Sequence, residues 1–433
     1  MSQSFRPSKP VSRRTALKGA TATAAGGLLS SRSFPGRATA APAAQDVASL
    51  TWLTDLPAGP EVVAAFTAEN PDIQITVEEV AFRDLFQQNQ VRLGAGQESP
   101  DIISVDAPVN SSYGLRGWLL PLDQYFTPEQ TGAWVPAQLE SSLYEGQLLS
   151  VPVWNSSQVL YYNLDMLTAA GITPPGETER WTWDQVGEAA RALTAEGRFG
   201  FQFEQFNRIY QLQPLAQGKG VPVIGEDGLT VKGIIDSPEW VEAFTWFSQL
   251  HRDQIAPGGE VEVGELFRAQ QLAMTIRGPW GIQEFIETPL DFQWRVAPHP
   301  YWGGEIHVPT DSWHLGVNAR SRYPEQSARF LQWVSSTAGA TVWRSHEAIW
   351  PAQQELLDEI VNDPANAEWP NRAYVIAAGE SEHGTPRPLT VGYLEYEELL
   401  SDAFEDIRNG SDVQESLSGA AERIEREMQK YRR

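Results

Sequence analysis

Apolar and polar positions along the first hundred residues predict strands and helices in alternation. Short apolar or alternating runs have strand composition, and the segments between them space their apolar residues as helices do. Strand, helix, strand, helix and strand occupy residues 49–55, 61–69, 73–80, 83–92 and 100–106. This order indicates an α/β domain with a largely parallel sheet, in which ligands bind beyond the carboxyl ends of the strands. Asp55 and Asp106 fall at two such ends, where each is either a ligand-binding residue or a turn residue.

Beyond residue 140 the pattern predicts a crossing into a second region. LLSVPV (148–153) and VLYYN (159–163) have strand composition, and AMTI (273–276) is a strand followed by the turn RGPWG (277–281). Thr182 begins a helix that extends to about Leu193, and its TWDQ start matches a capping box. A further strand is expected at 312–318. Further helices are expected at 238–252, 324–337, 351–361, 393–409 and 413–431.

The first 44 residues predict an export signal. Arg13 and Arg14 precede a weakly apolar stretch at 16–29, and the small-residue sequences ATA and APA that follow suit signal peptidase. The paired arginines resemble a twin-arginine signal, and a basic tail is the alternative interpretation. We therefore expect the mature protein to begin near residue 41 or 44 and to act outside the cytoplasm.

Composition excludes several classes of function. The formal net charge is −24, and the first 44 residues contain no acid, so the rest of the chain is still more acidic. Such a surface repels nucleic acid and anionic lipid. There is no cysteine, which excludes disulfides, thiolate metal sites, a cysteine nucleophile and lipid attachment through an N-terminal cysteine.

Sequence motifs for cofactors are absent as well. The histidines lack the spacing of a helical zinc site, and the chain has no phosphate-binding loop of the GxxxxGK[ST] type and no GxSxG nucleophile elbow. We therefore expect no metal, no cofactor and no catalytic residue. A secreted glycosidase stays open as an alternative, since two carboxylates suffice for that chemistry and the chain has 56 acidic residues.

Several segments together resemble family 1 extracellular solute-binding proteins, the group that includes the maltose-binding protein. The segments with this resemblance occur in the family's order, at 65–80 with 92–106, 116–126, 145–153 with 160–172 and 181–193, 273–285, and 315–336. AMTIRGPWG and YYNLDMLTAAG are the most specific. The resemblance implies two α/β lobes joined by a hinge around a ligand cleft. We expect lobe 1 to comprise 45–154 with 314–365, and lobe 2 to comprise 155–313 with 366–433.

The resemblance also implies a function and partners. The protein would be the substrate-capturing component of an ABC importer, binding a sugar or short oligosaccharide as a monomer in the periplasm or outside the cell. It would deliver this ligand to a membrane permease with a cytoplasmic ATPase. A polyamine, a glycerol phosphate or a peptide stays open as an alternative ligand.

Sugar binding requires flat aromatic rings for C–H faces and polar side chains for hydroxyl groups. The resemblance implies that Trp280 stacks on sugar, and that Tyr210 occupies a place where relatives have a stacking aromatic. Trp240, Trp246, Trp333 and Trp343 lie in helical apolar patterns and are expected in the core. Arg277 would donate to a ligand or form a salt bridge. Further cleft candidates are Trp154, Asn155, Ser156, Asp311, Trp313, Trp350 and Tyr393.

Overall fold

A computed structural model of the protein describes residues 47–311, 313–346 and 350–432. The predicted export signal at residues 1–44 lies outside the described residues. Within the described ranges, every helix is too short or too polar to cross a membrane.

The described part of the chain alternates short strands with helices of up to four turns. The strands are β1 (Ala48–Thr54), β2 (Ile73–Glu79), β3 (Ile102–Asp106), β4 (Leu143–Tyr144), β5 (Gln147–Leu148), β6 (Ser150–Pro152), β7 (Val159–Asn163), β8 (Phe199–Phe203), β9 (Leu272–Arg277), β10 (Trp294–Ala297), β11 (Val308–Pro309), β12 (Trp313–Val317) and β13 (Gly384–Thr385). The helices are α1 (Gly59–Glu69), α2 (Phe82–Gly94), α3 (Asn110–Leu115), α4 (Pro128–Gly132), α5 (Pro136–Ser142), α6 (Leu164–Ala169), α7 (Trp183–Leu193), α8 (Ile209–Gln217), α9 (Pro238–Arg252), α10 (Val263–Arg268), α11 (Trp280–Glu287), α12 (Pro324–Val334), α13 (Thr337–His346), α14 (Gln354–Asn362), α15 (Arg372–Glu380), α16 (Tyr393–Arg408) and α17 (Val413–Met428).

The first sheet has five strands in the order β2-β1-β3-β12-β6. β1 is parallel to both of its neighbours, as the alternating strand and helix pattern predicts. The prediction of a largely parallel sheet is wrong for the other half, because β12 runs antiparallel to both β3 and β6. β12 joins the first sheet only after the chain has formed the second sheet. Its direction therefore depends on the path of that long connection, and the local sequence pattern does not show it.

The second sheet has four strands in the order β10-β7-β9-β8. β8 and β9 are parallel, whereas β7 is antiparallel to both β9 and β10. Residues 153–158 connect β6 of the first sheet to β7 of the second. A return segment, described over residues 298–311, leads from β10 back to β12. Within that return segment β11 pairs in parallel with β13.

Local sequence signals account for several helix ends. Thr182 caps α7 with the predicted capping box, in which the Gln185 amide donates to Thr182 Oγ1 at 3.2 Å and the Thr182 amide donates to Gln185 Oε1 at 2.8 Å. The turn predicted at 277–281 is shorter than expected. β9 extends to Arg277 and α11 begins at Trp280, which places Trp280 on the first turn of a helix.

The predicted core tryptophans divide into two groups. Trp240 and Trp343 are fully buried, which confirms their core assignment. Trp246 and Trp333 are only partly buried and pack on the edges of the apolar cores. Two of these four tryptophans therefore keep part of their rings exposed to solvent.

Candidate functional site

Strands of the two sheets bring distant segments to one place. Asp106 is the last residue of β3, and antiparallel register places Trp313, the first residue of β12, directly opposite it. The Trp154 amide donates to the Trp313 carbonyl at 3.1 Å, so Trp154 lies at the same end of this sheet. In the second sheet β8 and β9 are parallel, and the segments that follow them therefore leave the sheet at one common edge.

A pocket of about 380 Å³ lies among these segments. On the side of the first sheet it is lined by Phe82, Asp106, Trp154 and Trp313. The other lining residues are Gln205, Arg208, Tyr210, Trp280 and Arg387. The structure thus brings together five candidates from the sequence, namely Asp106, Trp154, Tyr210, Trp280 and Trp313.

Two larger depressions, each of about 640 Å³, lie elsewhere on the surface. One lies beside α14 and α15, and the other lies beside the loop before β8. Among the described residues, no tryptophan lines either of them, whereas three line the smaller pocket. The aromatic lining therefore favours the smaller pocket as the candidate site.

The ring of Trp280 reaches the pocket because of the glycine before the helix. A Cβ atom on Gly278 would lie 2.1 Å from the Trp280 ring, so any larger residue would force the ring to move. The Trp280 indole N–H donates to Glu204 Oε2 at 3.0 Å, which orients the ring. Its half-buried position leaves part of the indole surface open to a ligand.

A buried ion cluster forms one wall of the pocket. We call Arg387 with Asp106 and Asp311 the Arg387 centre. Nη1 of Arg387 donates to Asp106 Oδ2 at 2.9 Å, and Nη2 donates to the other Asp106 oxygen. Nε and Nη2 donate to Asp311 Oδ1 at 2.9 and 2.7 Å, and the Arg387 amide donates to Asp311 Oδ2 at 2.7 Å. The guanidinium lies 4.7 Å from the centre of the Tyr210 ring.

The ionisation of this centre follows from its burial. Burial raises the pKa of Asp311 to about 6, although the hydrogen bonds from Arg387 act in the opposite direction. Asp311 is therefore still charged at neutral pH. Burial alone would lower the pKa of Arg387, but the carboxylates of Asp106 and Asp311 raise it well above its ordinary value.

A second arginine of the pocket is also paired. The Arg208 guanidinium donates through Nε to Glu397 Oε1 at 2.8 Å and through Nη1 to Gln205 Oε1 at 3.2 Å. Its Nη2 lies 3.8 Å from Asp106 Oδ2, and the guanidinium carbon lies 5.7 Å from the centre of the Phe82 ring. Arg208 thus contacts residues on both sides of the pocket.

Arg277 forms ion pairs in the structure, which is the alternative that the sequence left open. Its Nε donates to Glu204 Oε1 at 2.7 Å and its Nη2 donates to Glu284 Oε2 at 2.8 Å. We call these three residues the Arg277 centre. Arg277 itself lies outside the pocket, behind Trp280, and Glu204 connects the two because it also accepts from the indole.

Other predicted residues are buried behind the pocket wall. Ser156 Oγ hydrogen-bonds to the Tyr210 hydroxyl and donates to the Asp311 carbonyl at 2.6 Å. Gln158 Nε2 also donates to the Tyr210 hydroxyl, at 3.0 Å. Asn155 is fully buried, and its amide donates to the Trp350 carbonyl at 2.7 Å. These contacts hold residues 153–158, which connect the two sheets, beneath the pocket.

Three further candidates lie outside the pocket lining. Trp350 is 2% exposed and stacks on Tyr374, with ring centres 5.8 Å apart. Tyr393 is fully buried, and its hydroxyl accepts from Arg387 Nη1 at 3.3 Å. Asp55 follows β1 and is half-buried. Their geometry favours roles in packing and positioning.

Sequence reasoning missed Phe82, Gln205, Arg208 and Arg387 among the lining residues. Arg387 lies between two prolines in a segment without periodicity, and its partners are far away in the chain. Only the packing of three distant segments shows that Arg387 lies at the pocket, beside Asp106 and Asp311.

Comparison with known proteins agrees with this architecture. Residues 51–341 match the family model for bacterial extracellular solute-binding proteins. The chain is 26% identical over 301 residues to the sn-glycerol-3-phosphate-binding periplasmic protein UgpB of Brucella abortus (strain 2308), covering 64% of this chain and 67% of that protein.

Solved structures of similar proteins share the fold. The ABC substrate-binding protein from Listeria monocytogenes in complex with cycloalternan matches with a TM-score of 0.79, 24% identity, and coverage of 89% of this chain and 100% of that one. The sugar-binding protein MalE from Xanthomonas citri matches with a TM-score of 0.75, 17% identity, and coverage of 88% and 98%. These likenesses confirm the predicted two-lobe fold class, and the chain belongs to the family of bacterial extracellular solute-binding proteins.

Proposed function

We propose that this protein is the extracytoplasmic substrate-binding component of an ABC importer, and that its ligand is a sugar or a short oligosaccharide. The supporting observation is the pocket in which Trp154, Trp280 and Trp313 lie beside Asp106 and Gln205. Covering part of an indole face with a sugar ring contributes about 1–2 kcal/mol, and polar side chains satisfy the hydroxyl groups. The similar protein from Listeria, which was solved in complex with cycloalternan, and the sugar-binding protein from Xanthomonas also support this ligand class.

The mechanism would be capture and closure without covalent chemistry. We propose the lobes predicted above, 45–154 with 314–365 and 155–313 with 366–433, each built around one of the two sheets. α14 contacts both α13 and α15, so it lies at the boundary proposed near residue 365. A ligand that touches both walls favours the closed state, because only that state offers both sets of contacts. The permease would then recognise the closed form.

Export and location are part of the same proposal. The chain would leave the cytoplasm by the twin-arginine route, be cleaved so that the mature protein begins near residue 41 or 44, and act as a monomer. Replacing both Arg13 and Arg14 with Lys should keep the precursor in the cytoplasm, since the receptor reads the paired arginines. Cell fractionation checks this. Normal export of the double variant would contradict the route but leave the binding function in place.

Thermal unfolding against a ligand panel tests the function. The panel contains mono- and oligosaccharides together with polyamines, glycerol phosphates and peptides. A ligand at 100 times its Kd stabilises the folded state by about 2.7 kcal/mol, which raises the unfolding midpoint. We expect a rise with one series of sugars, and we expect that sugar to be recovered unhydrolysed. Hydrolysis of the sugar would favour the glycosidase alternative, and a rise only with a non-sugar would overturn the proposed ligand.

A further inference from the structure

Two arginines line the pocket, which at first suggests a site for an anionic ligand. Guanidinium groups are frequent partners of phosphate, and a relative at 26% identity is named for sn-glycerol 3-phosphate binding. The question is whether either guanidinium is available to a ligand. Its answer depends on how many N–H donors each arginine has already committed to protein acceptors.

The guanidinium of Arg387 has no uncommitted N–H donor. A guanidinium carries five N–H donors. Those of Arg387 make five hydrogen bonds, two to Asp106, two to Asp311 and one to the Tyr393 hydroxyl. Its side chain is only 3% exposed, so a ligand would have to displace a carboxylate to reach it. Displacing one would leave that carboxylate buried and unpaired, at a large cost in free energy.

The second arginine is balanced in charge, although its side chain is 22% exposed and its contacts with Glu397 and Gln205 occupy only three of its five N–H donors. Arg208 pairs with Glu397, and Asp106 lies 3.8 Å from its Nη2. The two guanidiniums of the pocket therefore face the three carboxylates of Asp106, Asp311 and Glu397. On the other side of Trp280, Arg277 faces two more carboxylates. The group beside Arg387 is net negative by one charge, whereas Arg268, which pairs with Glu284 at 2.9 Å, balances the group behind Trp280. A phosphate entering the pocket would therefore be repelled from the side of the Arg387 centre.

We propose that Asp106 and Asp311 are specificity-determining residues, which occupy the donors of Arg387 and thereby reserve the pocket for uncharged polyhydroxylated ligands. This inference rests on the proposed function, because it concerns the same pocket. The centre works by exclusion, since its carboxylates penalise a phosphorylated sugar or polyol more than they assist a neutral one. Arg387 acts as a positioning residue that holds Asp106 beside the pocket.

Matched pairs of probes test the proposal in the unaltered protein. Glucose is compared with glucose 6-phosphate, glycerol with sn-glycerol 3-phosphate, and the sugar identified by the panel with its phosphate ester, by calorimetry at two salt concentrations. We expect the neutral member of the binding pair to bind at least about 100-fold more tightly. Added salt should narrow the gap, because it screens the repulsion.

A charge-neutral variant sharpens the test. Asp311→Asn keeps the shape of the side chain and tolerates the left-handed backbone at this position, where φ is 67°. It removes one negative charge, so we expect affinity for the phosphorylated probe to rise by about tenfold. If Asp311→Asn fails to fold, Glu397→Gln is used instead. It removes the charged partner of Arg208, and we expect the affinity for the phosphorylated probe to rise here too.

A matched control is available away from the pocket. Glu380 accepts from both Nη atoms of Arg180, at 2.6 and 2.7 Å, in a buried pair outside the pocket lining. Glu380→Gln changes the net charge by the same amount and should leave the preference for neutral probes unchanged. A gain of phosphate binding equal to that of Asp311→Asn would attribute the effect to total charge and would overturn the proposal.

The remaining outcomes separate this inference from the proposed function. If the unaltered protein binds a phosphorylated probe as tightly as its neutral counterpart, the exclusion is wrong while the binding role stands. If it binds no sugar or polyol in either form, the proposed ligand class fails and the inference fails with it. If a folded Asp311→Asn binds the neutral sugar and still rejects the phosphate as strongly, Asp311 is not a determinant.

Discussion

The Arg387 centre and the Arg277 centre have the same charges and different environments. Each pairs one guanidinium with two carboxylates, and in each one carboxylate also contacts a second arginine. Asp106 lies 3.8 Å from Arg208, and Glu284 lies 2.9 Å from Arg268. In the Arg387 centre both carboxylates are buried, with side chains 7% and 0% exposed, and they come from the end of a strand in the first sheet and from the return segment. In the Arg277 centre the carboxylate side chains are 19% and 35% exposed, and both lie in segments that follow strands of the second sheet.

The difference shows how burial decides what an ion pair does. Buried charges must be paired, so the Arg387 centre connects the first sheet to the segment after β13 and a missing partner cannot be replaced by water. The Arg277 centre keeps partial access to solvent, and its carboxylate Glu204 also accepts from the Trp280 indole. One centre is expected to hold the pocket together, and the other to position an aromatic ring within it.

Removing the two arginines should give the largest contrast. Arg387→Met leaves buried Asp311 without a guanidinium and Asp106 with only Arg208, 3.8 Å away, and we expect a loss of about 3–5 kcal/mol in the free energy of unfolding. Arg277→Met should cost clearly less, about 1–3 kcal/mol, because water reaches its carboxylates. Urea unfolding of both variants measures this. Equal losses would mean that burial does not distinguish the two centres.

The Trp280 ring should affect binding and leave stability almost unchanged. Trp280→Ala removes a stacking surface at the pocket, so the affinity for the neutral ligand should fall by about tenfold or more. Its matched control is Trp350→Ala, in which a buried ring is lost. That variant should unfold more easily by about 3–5 kcal/mol. Calorimetry with urea unfolding checks both, and an unchanged affinity would remove Trp280 from the binding site.

A single hydrogen bond of the Arg387 centre can be removed on its own. Tyr393→Phe deletes the hydroxyl that accepts from Arg387 Nη1 and keeps the buried ring. We expect a loss of about 1 kcal/mol in the free energy of unfolding. Thermal unfolding without ligand measures it. A loss as large as that of Arg387→Met would show that the hydroxyl, and not the carboxylates, controls the centre.

Lowering the pH should change the stability contributions of the two centres in opposite directions. Asp311 has a raised pKa of about 6, so the folded state binds its proton first and this group adds stability as the pH falls from 6 towards 3.8. Glu284 has a pKa below its ordinary 4.5. Although burial alone would raise that pKa, Arg277 lowers it, and the stability from Glu284 is lost as the pH falls. Asp311→Asn should therefore make acid destabilisation steeper, and Glu284→Gln should make it shallower.

Urea midpoints between pH 7 and pH 3 measure these slopes against the unaltered protein, because the effect of Glu284 lies below its ordinary pKa of 4.5. Both variants remove one negative charge, so each serves as the control for the other. A change of slope in the same direction for both would contradict the opposite pKa shifts and point to net charge as the cause.

The sequence by itself determined the local elements and the family. Alternation and helical spacing located β1, β2, β3 and the first two helices, and the capping box placed the start of α7, because these signals depend on neighbours within a few residues. The strand and glycine before Trp280 marked that ring as unusual, and the structure places it at the pocket. Five of the predicted site residues line the same pocket. Asp106, Trp154, Trp280 and Trp313 lie at or just beyond the end of a strand, whereas Tyr210 lies in the first turn of α8.

Only the tertiary structure decided which charges meet. Asp106, Asp311 and Arg387 are far apart along the chain, and no periodicity relates them. Their contact depends on β12 returning antiparallel to β3 and on the segment after β13 lying against it. The same packing buried Trp350 and Tyr393, which composition alone could not distinguish from exposed aromatics. Whether an arginine is free to bind a ligand is a property of its neighbours in space, and those neighbours are set by the topology of the two sheets.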